Sequence, residues 1–435
     1  MHRAASSHVT SRRTLLLGAL SLPVLAACGT DSGNQPEPES TAPVELSVFW
    51  WGSESRAKAT EEALKLYTAK YPFVTFKTTW QGNQGYYDKL ATLAAGGNAP
   101  DIFQIDDGAL SEYAERNVTL DLTSYKEKNK LDVSKFPESL WKYAEVDGKL
   151  AGVPTGENTP GMIYDKQLCQ ELGVPEPKTG MSWEELIAWG EQVYTKSGGK
   201  VLGTMDPSAD YKALWVWLRQ QGKELYGKKA MAVSKEDLIK WFDLWKGARD
   251  RKAAPTADII HEANAGDVTK QLVVTGKAAT SFLWANQLSD TQKLTKRTLG
   301  VVAYPGDPKG QWARAAMYFS VARSSERKDR AVDVINFLVN SPEVGKLWGA
   351  DRGLSSNMDV RKGVADGLTD KVTKEAFAFE TDLASKFGQA PPVPPKGHVK
   401  VRQLLTTHAE SVQYGKATSA EAAEAFLKEA DAALK

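Results

Sequence analysis

Three carboxylates and a set of tryptophans are the residues best suited to chemistry. Asp106 and Asp107 follow the apolar run Ile102-Phe103-Gln104-Ile105, and Glu157 follows Gly152-Val153-Pro154-Thr155. Two carboxylates facing a glycosidic bond can act as general acid and base. The same groups can accept hydroxyls or cap a helix, and that use is favoured here. The chain has 13 tryptophans. Trp183, Trp189, Trp241 and Trp245 fall at helical spacing, where burial accounts for them. Trp50, Trp51, Trp80, Trp284 and Trp312 stand at strand ends or near breaks, where α/β sheets hold ligands. An indole can stack on a sugar ring while nearby carboxylates and amides take its hydroxyls.

Other chemistry is missing from the sequence. It contains no nucleophile elbow, no H-E-x-x-H, no phosphate loop and no G-x-G-x-x-G. Past the leader described next, His261, His398 and His408 are too scattered for a metal site. The expectation is a chain with no catalytic set, no metal and no cofactor.

Ser11-Arg12-Arg13-Thr14-Leu15-Leu16-Leu17 places twin arginines before a short apolar stretch, and Leu25-Ala26-Ala27-Cys28 ends it at a cysteine. Residues 1–27 read as an export signal and Cys28 as the residue lipidated after cleavage, which places the protein outside the cytoplasm on a lipid anchor. The stretch Leu15 to Ala27 falls short of the roughly 20 apolar residues a membrane helix needs. Residues 28–44, rich in Pro, Ser, Gly and Glu, read as a flexible tether. Cys169 is then unpaired and, in a helical setting, a buried inert thiol. The chain has 55 basic and 54 acidic residues. The leader removes Arg3, Arg12 and Arg13 and no acid, so the near-neutral body gives no reason to invoke nucleic acid.

The elements that must position these residues follow from periodicity. Leu46 to Gly52, Val74 to Trp80 and Asp101 to Asp106 read as strands. Between them lie a helix capped by Ser53 and ended by Pro72, and a helix from Tyr86 to Ala95 closed by Gly96-Gly97. This β-α-β-α-β order implies a parallel sheet flanked by helices. Further strands are expected at Gly152–Thr155, Ile163–Lys166, Ala278–Leu283, Gly300–Tyr304 and Met317–Arg323. Helices are expected from the Ser182 capping box through Val193, and at Trp241–Ala248, Arg330–Leu338 and Ser419–Leu434. The proline run 391–395 reads as a surface segment of a second lobe.

Taken in order, several segments resemble the extracellular solute-binding proteins, family 1, of bacterial ABC importers, the family that carries sugars. They are Phe49-Trp50-Trp51-Gly52, Tyr86-Tyr87-Asp88-Lys89-Leu90 before Gly96-Gly97-Asn98-Ala99-Pro100-Asp101-Ile102, and Gly148 to Pro154 with Ile163-Tyr164-Asp165-Lys166. Leu172-Gly173-Val174-Pro175 then leads to Ser182-Trp183-Glu184-Glu185-Leu186, and Gly276-Lys277-Ala278-Ala279 and the helix 331–340 with Ser341-Pro342-Glu343 follow. Two departures are Asp165 where the family has Asn, and Ser355-Ser356 where it often has proline after the glycine. The resemblance implies an α/β, two-lobed periplasmic-binding-protein-like fold with discontinuous lobes, each a mainly parallel sheet flanked by helices, joined by hinge strands. Lobe 1 would be 45–153 plus 314–355, and lobe 2 would be 154–313 plus 356–435.

Carried over by position, the ligand residues would be Trp50, Trp51, Ser53, Glu54, Gln81, Tyr86, Asp106, Asp107, Glu157 and Asn158. From the second lobe and the return crossing would come Trp284, Asn286, Gln287, Arg314, Tyr318 and Arg352. The implied protein is a monomeric, non-enzymatic receptor with a mono- or oligosaccharide, importer permease subunits and the membrane as partners. Two alternatives stay open: a secreted hydrolase or lyase, and a receptor for another solute such as a polyamine or phosphonate. A pectic or other plant-wall oligosaccharide is one option for the ligand, with Arg56, Arg314 and Arg352 as candidate cations for an acidic sugar.

Overall fold

The computed structural model describes residues 41–82, 84–263 and 268–435. The export signal, Cys28 and most of the tether lie outside the described residues. No helix among the described residues is long and apolar enough to cross a membrane.

The first sheet starts from β-branched and aromatic runs. β1 (Val44–Trp51) lies between β2 (Val74–Gln81) and β3 (Ile102–Ile105) and is parallel to both, as the β-α-β-α-β order requires. Ser53 caps the helix Glu54–Lys70, accepting from the Arg56 amide at 3.3 Å, and the helix buries Ala57, Thr60, Ala63, Leu64 and Tyr67 on one face. The helix Tyr86–Ala95 ends where Gly97 turns at φ +73°. A small hairpin, β4 (Glu145–Val146) with β5 (Lys149–Leu150), leads into β6 (Val153–Asn158) and β7 (Pro160–Asp165). β8 (Thr280–Trp284), β9 (Leu299–Ala303), β10 (Arg314–Val321) and β11 (Leu354–Ser355) complete the strands.

The six-stranded sheet runs β11-β6-β10-β3-β1-β2, and β10 and β11 join it antiparallel to their neighbours. The second sheet, β8-β7-β9, is antiparallel throughout, where a mainly parallel one was expected. β8 starts at Thr280 opposite Tyr164, near the end of β7, so the intervening helices return the chain to the end at which it left. A parallel neighbour would need the chain carried back to the start of β7. The fold is two-lobed α/β, and residues 43–435 form one contact unit.

The crossings differ from those read in the sequence. β6 pairs in the first sheet and β7 in the second, so Thr159 alone joins them, and the expected boundary at 153/154 moves to 159. The helix Met358–Gly367 packs on the helix Pro342–Trp348, and the Met358 amide donates to Lys135 O at 3.0 Å. The next helix, Lys371–Ala384, packs instead on β9 and the helix Leu288–Lys293. The last crossing, from the helix Met358–Gly367 to the helix Lys371–Ala384, therefore lies near 368–370 rather than 355. At the first crossing the backbones nearly touch: a Cβ on Gly156 would stand 2.2 Å from Arg352 O, and one on Gly353, at φ +80°, 2.3 Å from Glu157 O. Only glycine fits either position.

Two smaller expectations also meet the structure. Cys169 is buried in the helix Lys166–Leu172, and burial, with Glu176 beside it, pushes its thiol up to about 12. The proline run keeps Pro392 at the surface but is docked rather than loose. Pro391 and Pro394 are buried, and the Pro394 carbonyl accepts from the Ser111 hydroxyl at 2.6 Å, docking the run on the helix Asp107–Glu115.

Candidate ligand-binding cleft

Asp107 opens the helix Asp107–Glu115, which Asp106 caps at the end of β3, while Arg314 opens β10 at the return crossing. The two meet as a buried bidentate pair, Arg314 Nε donating to Oδ2 and Nη2 to Oδ1. Burial alone would raise the Asp107 carboxyl, but the Arg314 charge and its hydrogen bonds hold it below the usual range. Asp106, half-buried beside it, is pushed up by burial and by Asp107.

Around this pair, cations and rings stack in sequence. The Arg402 guanidinium lies 4.7 Å from the Tyr211 ring, and Arg314 lies 5.7 Å from Tyr211 and 5.0 Å from Trp284. Lys212 Nζ lies 5.1 Å from Trp284 and 3.1 Å from Asp210. His398 packs edge-on to Tyr211 at 4.8 Å and meets the Tyr226 hydroxyl at 2.6 Å. Burial, then the Arg402 charge, pushes its imidazole down to about 3, so it is neutral.

Two cavities flank this column. The hinge-side cavity, about 460 Å³, is lined by Arg56, Met317 and Asp351 from the first sheet's side and by Trp284, Asn286, Gln287, Phe377 and Glu380 from the second, with Asn158 at the crossing. The other, about 510 Å³, is lined by Tyr87 and Asp106 on one side and by Asp210, Tyr211, Lys212, Phe282 and Arg402 on the other. Both volumes fall in the range of small-molecule sites.

The residues expected to touch ligand divide accordingly. Asn158, Trp284, Asn286 and Gln287 line the hinge-side cavity and Asp106 the other. Trp284 is held by its amide donating to Gln287 Oε1 at 3.0 Å, and Asn286 Nδ2 reaches Ala350 O at 3.5 Å. Asp107 and Arg314 are spent on each other. Ser53 and Glu54 are exposed, one capping its helix and the other paired with Lys58 at 2.8 Å. Gln81 donates to Gln84 O at 3.3 Å.

Several expectations are corrected. Trp50 and Trp51 are buried, because β1 is interior to a sheet covered on both faces, so successive side chains both enter the core. The Tyr86 ring is fully buried and its hydroxyl donates to Gln104 O at 2.6 Å. Tyr318 is fully buried in the core. Glu157 is buried and paired with Arg361 at 2.7 Å. Arg352 is buried against Phe319 and Trp348, donating to Gln104 Oε1 and to Thr60 Oγ1. Burial first, then Arg56, lowers it to about 9.

Sequence reasoning missed Tyr211, Lys212, Arg402 and Glu380. Asp210 caps the helix Tyr211–Arg219, and Asp-Tyr-Lys after Pro207 was a readable helix start that would have set two of them at its mouth. Thr373, Phe377 and Glu380 recur at i, i+4, i+7 on Lys371–Ala384 and share the face that lines the hinge-side cavity.

Two stability predictions follow from these charges. Asp107→Asn strands Arg314 as a buried unpaired charge and is expected to cost about 3–5 kcal/mol in urea unfolding. The double variant with Arg314→Gln should lose less than the sum of the two singles, and strict additivity would show the pair uncoupled. Burial, then Glu157, pushes the Glu380 carboxyl up to about 8. Its contribution is full below about 4.5, where the unfolded chain is also protonated, and is lost as pH rises toward 8, by up to about 1.4 kcal/mol per pH unit. Relative to Glu380→Gln, the wild type should lose stability across that window; parallel profiles would contradict it.

The profile described as bacterial extracellular solute-binding protein matches residues 62–380. The lactose-binding protein of Rhizobium radiobacter is 22% identical over 370 residues, 78% of each chain. An extracellular solute-binding protein family 1 structure from Alicyclobacillus acidocaldarius is 26% identical, with a TM-score of 0.72 over 91% of this chain and 100% of that one. The periplasmic oligogalacturonide-binding protein of Yersinia enterocolitica, in complex with saturated digalacturonic acid, is 22% identical and shares the fold, with a TM-score of 0.77 over 90% and 98%. With that profile spanning most of its length, the chain belongs to the bacterial extracellular solute-binding proteins.

Proposed function

We propose that this protein is the extracytoplasmic carbohydrate receptor of an ABC importer, capturing a sugar or oligosaccharide between its two lobes and presenting it to the permease. The observation that carries this reading is Trp284, which lines the hinge-side cavity, whose walls come from both sheets and are rich in amides and carboxylates. A ring stacked on an indole with its hydroxyls on such groups is the usual solution for binding a polyol. The names of relatives that bind lactose, arabinooligosaccharide and diacetylchitobiose support the same class.

Two of the three carboxylates first considered, Asp107 and Glu157, weigh against the hydrolase alternative. Asp107 is neutralised by Arg314 and Glu157 by Arg361, so neither is free to act as acid, base or nucleophile. The receptor works as a monomer, without cofactor or metal, held at the outer face of the membrane by lipid on Cys28. Its lobes close on ligand, and the closed form is the one the permease engages.

A thermal-shift screen with neutral oligosaccharides, oligogalacturonides, amino acids and polyamines tests the class. A ligand at 100 times its Kd adds about 2.7 kcal/mol. For the sugar that binds, Trp284→Ala should cost about 2 kcal/mol, roughly thirtyfold in Kd. A flat response to every sugar with a shift from a polyamine would overturn the reading. Cys28→Ser should move the exported protein from the membrane fraction to the soluble fraction; unchanged membrane association would refute the lipid anchor.

A further inference from the structure

The hinge-side cavity carries an unusual set of polar atoms. Glu380, on the inner face of the helix Lys371–Ala384, is 1% exposed, and neither carboxyl oxygen meets a hydrogen-bond donor at normal geometry. The Thr159 amide and hydroxyl face it from the crossing, near enough to favour the ionised carboxyl but outside normal hydrogen-bond geometry. Asn158 Oδ1 and Asn286 Oδ1, which line the same cavity, are likewise buried and unpartnered. Buried polar atoms left without partners are costly, so such groups in the wall of a cavity are groups that a ligand can satisfy.

The charge balance narrows the ligand. Among the described residues lining this cavity, Arg56 is the only cation, and it is already committed: Nε lies 2.7 Å from Asp351 Oδ2 and Nη2 donates to Asp351 O at 2.7 Å. Of the other two arginines expected to meet an acidic sugar, Arg314 is paired with Asp107 and Arg352 is buried away from the cavity. The remaining ionisable lining groups, Asp290, Asp351 and Glu380, are acids. A ligand carboxylate would bring acceptors to acceptors and negative charge to a wall with no free positive charge.

We propose that Glu380 is a specificity-determining residue of this cavity, its carboxyl exchanging hydrogen bonds with the hydroxyls of a sugar ring that bears no carboxylate. This rests on the carbohydrate reading above and deepens it. Burial and the neighbouring Glu157 keep Glu380 protonated at neutral pH, so it donates through its O–H and accepts through its C=O. Asn158 and Asn286 accept from further hydroxyls. A ring hydroxyl both donates and accepts, and so satisfies this set; a uronate does not. An oligogalacturonide, acidic on every ring, must place one carboxylate here if it spans the cleft.

The test is calorimetry at pH 7 on the purified protein with lactose, arabinotriose, diacetylchitobiose and digalacturonic acid. At least one neutral saccharide should bind the wild type, with digalacturonic acid at least about tenfold weaker. For that saccharide, Glu380→Met should weaken binding at least about tenfold, while Glu380→Gln, which keeps one donor and one acceptor, should stay within about threefold. Undiminished binding by a folded Glu380→Met, or digalacturonic acid bound as tightly as the neutral sugar, overturns this inference and leaves the carbohydrate reading standing. Should Glu380→Met fail to fold, the neutral-against-acidic comparison in the wild type decides alone. Binding of no saccharide sinks both.

Discussion

The buried pair between Asp107 and Arg314 is the constraint on which the cleft depends. It joins the start of a first-lobe helix to the start of the returning strand, across 207 residues of chain. Neither charge can be withdrawn without leaving the other unpaired in a poorly solvated site, so the pair holds two elements in fixed relation. The guanidinium then supplies a flat face, on which Tyr211 and Trp284 stack from the second lobe. Arg402 and Lys212 extend the same column outward. The Trp284 indole, which lines the hinge-side cavity, thus packs against a charge that is itself neutralised.

The hinge is made with equal economy. A single residue, Thr159, separates a strand of one sheet from a strand of the other, and backbone approaches that only glycine permits lock β6 against the 352–354 turn. The hinge-side cavity lies directly beside this crossing. A ligand that bridges its two walls binds the closed form better than the open one, and closure can be driven only by that difference in affinity.

Much of this was legible in the sequence, for identifiable reasons. The first three strands and the helices between them were bounded by Gly, Pro and capping residues, which act locally. The Ser182 capping box forms with both hydrogen bonds in place. What failed was non-local. The direction of the second sheet depends on where the helices after β7 return the chain. Trp50 and Trp51 look like ligand aromatics at a strand end, and only the strand's interior place in the sheet makes them core. The partner of Asp107 had no signal near it, and Lys212, Arg402 and Glu380 lie on helices whose inward faces are set by packing with distant segments.

The proposed function places the sugar on the Trp284 face of the hinge-side cavity. A crystal structure with the saccharide that most stabilises the protein tests it directly. The account predicts a sugar ring stacked on Trp284, with hydroxyls on Asn158, Asn286 and Glu380. Saccharide bound elsewhere, with the indole face bare, would contradict it.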